Sequence, residues 1–324
     1  MKNILVTGCA GFIGSKVSQL LLGSGKKVIG IDNVNDYYDP ALKRWRLNVL
    51  KKYPGFSFHK FDIGNYKKVR DVFKKYKIHA VINLAARAGV RASVEDPWAY
   101  LDTNTKGTLN LLECCKQFKV RKFVLASTSS LYGLEKMPFT EDKKTDTPLA
   151  PYSATKKAAE AFCYSYHYLY NLDISVLRYF TVYGPAGRPD MSIFKFINNM
   201  DAGRAIPVFG DGNQTRDFTY IDDIADGTIR ALKPVGYEVF NLGSDHPVKL
   251  KYVIKLLEKN MGKKAKIKRL SRHPADVTRT WANINKARRK LGWKPKTSLE
   301  KGVENTVKWF MDNKKMLLKL KWPK

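Results

Sequence analysis

The chain has 324 residues, 44% of them hydrophobic, and a formal net charge of +30. That length suits two domains with a real core. No apolar run approaches the roughly 20 residues of a membrane span, and no charged segment with an apolar h-region opens the chain, so a cytoplasmic protein is expected. The four cysteines, Cys9, Cys114, Cys115 and Cys163, have no metal-ligand spacing and read as reduced and structural; no metal site is expected.

The lysines are scattered over almost every predicted helix, with the densest runs at 263–272 and 314–324. No aromatic-interleaved basic motif or Cys/His finger accompanies them. The charge therefore reads as solvated faces and not as a specific nucleic-acid site, although a field of this sign helps to capture an anionic substrate.

Residues 2–7 read as a short buried strand. Gly8-Cys9-Ala10-Gly11-Phe12-Ile13-Gly14 and a helical pattern through Leu22 follow. A strand, a glycine-rich turn and a helix form a pyrophosphate cradle: the glycines admit the phosphates and the helix N-terminus offers unpaired N–H groups. The spacing is G-x-x-G-x-x-G and not the commoner G-x-G-x-x-G. A second strand, 27–31, ends in Asp32-Asn33, 18 residues after Gly14. An acid there suits the adenosine ribose of NAD and repels a 2′-phosphate.

Strands then alternate with helices. Residues 56–61 lead to Asp62-Ile63, placed to touch an adenine. Residues 80–84 end in Leu84-Ala85-Ala86, small enough for a cofactor to lie against backbone. A long helix spans about 104–118, from Asn104. Strand 122–126 runs into Ser127-Thr128-Ser129-Ser130, and strand 174–177 into Tyr179 and Thr181. This alternation predicts an α/β doubly wound parallel sheet of the Rossmann type. Ligands gather at the carboxyl ends of such strands, so these clusters are expected to share one cleft.

Tyr152 and Lys156 stand four residues apart on a predicted helix, hence on one face. A nearby ammonium favours the phenolate, which lowers the phenol's pKa and makes Tyr152 a base for a sugar hydroxyl. Alone the spacing is common; the glycine turn gives it weight.

With the glycine turn, the hydroxyl-rich strand end and Tyr152/Lys156 in this order, the sequence resembles the extended short-chain dehydrogenase/reductases. More narrowly it is similar to the nucleotide-sugar epimerase/dehydratase group, over essentially the whole chain. Residues 210–223 (GDGNQTRDFTYIDD), Asn241-Leu242-Gly243, and Pro274-Ala275-Asp276-Val277 ahead of Leu291-Gly292-Trp293 carry that resemblance. Residues 32–43 (DNVNDYYDPALK) and 85–93 (AARAGVRAS) resemble UDP-glucuronate 4-epimerases.

The resemblance implies NAD as cofactor, a UDP-sugar as substrate and a homodimer formed by helices including the one bearing Tyr152. It implies a catalytic set of Thr128, Tyr152 and Lys156. Cofactor contacts fall to Gly8, Gly11, Phe12, Ile13, Gly14, Asp32, Asn33, Asp62, Ile63, Leu84, Ala85, Ala86, Asn104, Tyr152, Lys156 and Tyr179. Substrate contacts fall to Arg87, Ser129, Ser130, Thr181, Arg188, Val208, Arg216 and Asp276. The NAD-binding domain is placed at 1–182, completed by about 221–243. A smaller C-terminal domain for the UDP-sugar takes 183–324, mainly 183–220 and 244–324.

Dehydratases and decarboxylases of this group carry an acid just after the active-site Thr or Ser. Thr128-Ser129-Ser130 has none, and its hydroxyls can donate to a substrate carboxylate that a glutamate would repel. The expected reaction interconverts UDP-glucuronate and UDP-galacturonate. UDP-N-acetylglucosamine or UDP-glucose 4-epimerisation, a dehydratase or decarboxylase, and a non-catalytic NAD-binding or nucleic-acid-binding protein stay open at this point. The basic, apolar terminus 314–324 reads as a frayed end, with contact to an acidic membrane surface as the alternative.

Overall fold

The computed structural model describes residues 2–271 and 277–322. The strands are β1 (Asn3–Thr7), β2 (Lys27–Asp32), β3 (Phe56–Lys60), β4 (Ile78–Asn83), β5 (Lys122–Thr128), β6 (Asp173–Tyr179), β7 (Thr181–Tyr183), β8 (Ile206–Phe209), β9 (Thr215–Tyr220), β10 (Tyr237–Leu242), β11 (Pro247–Lys249) and β12 (Ile267–Leu270). Seven of them make one parallel sheet in the order β10-β6-β5-β4-β1-β2-β3. Order reverses beside β1, between β2 and β4, and a crevice opens there at the carboxyl ends, as doubly wound sheets require.

Helices α1 (Phe12–Gly23), α2 (Pro40–Leu50), α3 (Tyr66–Lys75), α4 (Ala92–Glu95), α5 (Pro97–Tyr100), α6 (Gly107–Gln117) and α7 (Pro151–Tyr170) belong to the first half. The long helix expected from Asn104 is in fact a π-helical turn, Leu101–Lys106, running into α6. Helix α7 starts at Pro151, where a missing N–H costs nothing, and stops at Asn171 in the left-handed region. The central strands are buried on both faces: every residue of β5 is buried. They therefore read as unbroken apolar runs, the pattern of a sheet covered on two sides.

The remaining helices are α8 (Ser192–Asp201), α9 (Ile221–Arg230), α10 (Leu250–Met261), α11 (Asn285–Leu291), α12 (Leu299–Asp312) and α13 (Lys314–Leu317). Strand β7 pairs with β9, β9 with β11, and β8 with β12, giving a three-stranded and a two-stranded sheet outside the main one.

Residues 314–322 of the C-terminal stretch are not frayed. Leu317 and Leu320 are buried, the Trp322 ring stacks 5.6 Å from Phe194, and the Lys321 N–H donates to Asp39 at 2.7 Å. Its apolar residues face the core, which leaves few for a lipid surface. All four cysteines are buried and free. Among the described residues no helix is long and apolar enough to cross a membrane, and no cluster of metal-ligating side chains occurs.

Candidate active site

The glycine turn sits in the crevice with little room to spare. Gly8 has φ +68, and a Cβ there would lie 2.8 Å from the Ala85 nitrogen; at Gly14 it would lie 2.0 Å from the Gly8 carbonyl oxygen. Side chains are thus excluded at these two positions, and the first N–H groups of α1 stay open, since Gly11 at the N-cap supplies no capping side chain. A dinucleotide pyrophosphate fits such a cradle.

One cleft beside it is lined by Gly8, Asp32, Asn33, Asp62, Ile63, Leu84, Ala85 and Ala86, together with Ile31, Asn35 and Thr103. Eight residues picked from sequence therefore come together. Each carboxylate in the cleft is fixed. Asp32 accepts from the N–H groups of Ala10 (3.0 Å) and Val34 (2.8 Å). Asp62 accepts from the Asn33 amide (2.6 Å) and the Gly64 N–H (2.8 Å). Ligand hydroxyls meeting these oxygens find acceptors that need not be reordered.

Asn104 does something different from a cofactor contact. It is buried, accepting from the Arg87 N–H (2.9 Å) and donating to the Arg87 carbonyl (3.0 Å) and the Thr155 hydroxyl (3.1 Å). It pins Arg87 to helix α7. Tyr179 is also turned away from the cleft. Its ring is in the core, and its hydroxyl meets that of Thr228 at 2.8 Å.

Thr128 ends β5, and Tyr152 and Lys156 lie on α7 alongside. The Thr128 and Ser130 hydroxyls are 3.2 Å apart, and the Thr128 side chain lies close enough to Tyr152 to act on its phenol. Lys156 is buried and donates to the Ala126 carbonyl at 2.8 Å. Here the expected electrostatics are reversed. Burial raises the Tyr152 phenol above its ordinary value. The Thr128 side chain and then the Arg188 charge oppose that rise; Lys156 is not among the groups acting on it. Burial brings Lys156 itself down to about 8, partly offset by Glu160. In the cofactor-free chain Tyr152 is therefore a neutral phenol, because desolvation outweighs the nearby cations.

Behind these residues runs a buried network. Glu160, one turn along from Lys156, accepts from the Ser127 hydroxyl (2.6 Å) and from Arg178 Nη2 (2.8 Å). Arg178 continues to the Tyr132 hydroxyl (3.0 Å), and Tyr132 to Asn241 (2.7 Å). Strands β5, β6 and β10 are thereby locked to the catalytic face of α7.

The candidate sugar contacts scatter more widely. Arg188 is no solvated surface charge: its guanidinium meets both Asp190 oxygens (3.0 and 2.5 Å) and the Ala88 carbonyl (3.2 Å), and lies 5.5 Å from the centre of the Tyr37 ring. Arg87 approaches the same ring at 6.0 Å. Thr181 and Arg188 line one small cavity with Tyr183 and Phe194. Arg216 donates to the carbonyls of Thr215 and Thr278. Val208 is in the core, because strand alternation turns Ile206 and Val208 inward and leaves Pro207 and Phe209 on the open face. Phe209, half-buried, carries the Arg91 guanidinium 3.8 Å above its ring. Asp276 lies outside the described residues.

A family model for GDP-mannose 4,6 dehydratase matches residues 5–306. The chain belongs to this family of extended short-chain dehydrogenase/reductases. Within the dehydratase family it is 57% identical over 322 residues to a UDP-glucuronate 4-epimerase of Thermodesulfobacterium geofontis, covering 99% of this chain and 100% of that one. The structure superposes with a TM-score of 0.91 and 40% identity on the UDP-glucuronic acid 4-epimerase of Bacillus cereus in complex with UDP-glucuronic acid and NAD. That match covers 96% of this chain and 99% of the other. A UDP-glucose 4-epimerase of Thermotoga maritima with UDP-glucose matches at TM-score 0.89 and 32% identity, over 96% and 99% of the two chains.

Asn35, Tyr38, Lys43, Arg46 and Tyr100 also belong to this region and were not singled out from sequence. Tyr38 and Lys43 stand in the stretch that carries the resemblance, so a signal existed there. Arg46 gives none, because its backbone partners Ala10, Ala186 and Gly187 are far away in sequence.

Proposed function

We propose that the chain is an NAD-dependent 4-epimerase interconverting UDP-glucuronate and UDP-galacturonate through a transient 4-keto sugar. The observation that carries this reading is the site's polarity. Tyr152, with Thr128 acting on its phenol, opens onto a region holding Arg87 and Arg188, and no carboxylate follows Thr128. A sugar acid meets hydroxyls and guanidinium groups there, whereas the proton donor that water elimination needs is missing. The 57% identity to a UDP-glucuronate 4-epimerase supports the same substrate.

NAD, when bound, supplies the hydride acceptor and donor for C4. The seven-stranded sheet is assigned to it, with the glycine turn at the pyrophosphate and Asp32 at the adenosine ribose. The segments 183–220 and 244–324 are assigned to the UDP-sugar. Tyr152 takes the C4 hydroxyl proton and returns it on the opposite face after the sugar has turned about its phosphate linkage. Thr128 shares that proton's hydrogen bond. Lys156 holds the nicotinamide ribose. Ser129, Ser130 and Thr181 grip the carboxylate so that the β-keto acid keeps its CO2.

Purified protein given UDP-glucuronate without added NAD is expected to yield UDP-galacturonate by proton NMR. UDP-pentose with CO2 would make the enzyme a decarboxylase. No change alongside epimerised UDP-glucose would move the substrate to the neutral sugars, a reading favoured by the Thermotoga neighbour.

A homodimer is part of the proposal. Helix α7 exposes Tyr164, Tyr168 and Leu169, with Trp98 and Leu101 nearby. Tyr168, 77% exposed, is a poor end state for an aromatic side chain on a helix face. Y168R combined with W98R is expected to convert a dimer to a monomer in sedimentation velocity; a monomeric wild type would refute this. Four free buried thiols suit a reducing, cytoplasmic setting.

A further inference from the structure

Helix α2 buries a guanidinium whose hydrogen bonds all go to uncharged oxygens. Arg46 is 2% exposed. Its Nη1 donates to the Ala10 carbonyl (3.1 Å) and the Tyr38 hydroxyl (2.6 Å). Its Nη2 donates to the carbonyls of Ala186 (2.7 Å) and Gly187 (3.2 Å), while Nε has no partner among the described residues. A guanidinium does not shed its proton, and buried charges are ordinarily paired. What Arg46 holds must therefore justify its place.

It holds two segments that serve different ligands in the proposed function. Ala10 belongs to the glycine turn. Ala186 and Gly187 lead directly into Arg188. Ala186 has φ +55, a left-handed backbone unusual for a residue other than glycine. Such a conformation persists where the surroundings over-determine it, and the Ala186 carbonyl takes the shortest of Arg46's bonds to backbone. A planar fork with donors on two sides fixes a distance between its acceptors, which a flexible ammonium cannot do.

We propose that Arg46 is a positioning residue that sets the gap between the glycine-rich turn and the loop carrying Arg188, so that cofactor and sugar acid are held in one frame. It touches neither ligand. This rests on the function proposed above.

The test uses the full-length holoenzyme as wild type, R46K, R46M and Y38F, with KM and kcat for UDP-glucuronate, NAD content and melting temperature. Arg188 grips ground state and transition state alike, so its displacement appears in KM. The expected result is a KM raised tenfold or more in both Arg46 variants and a few-fold in Y38F, which loses one hydrogen bond, with kcat within threefold throughout. Wild-type KM in R46K would reduce the residue to a charge and overturn the proposal. So would unchanged KM with kcat falling in step with melting temperature, the mark of a structural role; Y38F keeps that comparison open where an Arg46 variant does not fold. A wild type that turns over UDP-glucose and not UDP-glucuronate would refute the substrate reading instead, and the same KM comparison with UDP-glucose would then decide on Arg46.

Discussion

Tyr152→Phe is expected to lower kcat by about 10³-fold, within the range that removal of a general base commonly costs. NAD content and KM should stay within about threefold. The variant deletes one oxygen and keeps the ring, which lies edge-on to Tyr100 with centroids 6.1 Å apart, so the packing of α7 survives. The pH profile adds a readout that a packing defect would not move. Burial holds the phenol above its ordinary value in the free enzyme. The active, deprotonated form is therefore scarce at neutral pH, and kcat/KM of the wild type should climb with pH along its acidic limb. Y152F should lose that limb and show a flat, low residual rate. If Y152F kept more than a tenth of wild-type kcat, Tyr152 would not be the base, and Thr128 would have to be reconsidered.

Local requirements were legible in the sequence; long-range ones were not. The glycine turn announces itself because Gly8 and Gly14 meet backbone within a few residues or across one strand, so the requirement is written in glycine spacing. Tyr152 and Lys156 could be paired because helix geometry turns a spacing of four into a shared face. The same spacing says nothing about dielectric. It led to an expected depression of the Tyr152 pKa, whereas the folded chain buries both groups and reverses the sign. Val208 was misplaced for a related reason: it was read as a substrate contact, but the inward parity of β8 is set by the core it meets. Arg46 was invisible because it joins Ala10 to Ala186 across the fold, with partners 36 and 140 residues away in sequence.

The buried Lys156 sets activity against stability, and Lys156→Met should separate the two. Lys156 is 3% exposed, and its pKa falls from 10.5 to about 8. At neutral pH the folded chain still carries the charge, at a cost on the order of 3 kcal/mol relative to the unfolded chain. The sign follows from proton counts. Below pH 8 both states hold the proton and the cost is fully present. Between about 8 and 10.5 the unfolded chain binds more protons, so stability rises with pH. Above 10.5 neither state is charged and the cost is gone. Methionine has a similar length and no charge, and its loss of the hydrogen bond to Ala126 returns about 1 kcal/mol. Glu160 is not orphaned, since Ser127 and Arg178 still bond it. With cofactor removed, K156M is therefore expected to be 1–2 kcal/mol more stable than wild type in urea at pH 7, roughly the difference of those two effects. The gap should close or change sign by pH 10, while kcat falls by about 10² or more. A K156M protein less stable than wild type at pH 7, or a gap that did not shrink with rising pH, would mean that the ammonium is better solvated than its burial implies. The positive outcome would identify Lys156 as a residue kept at the expense of stability for the chemistry at Tyr152.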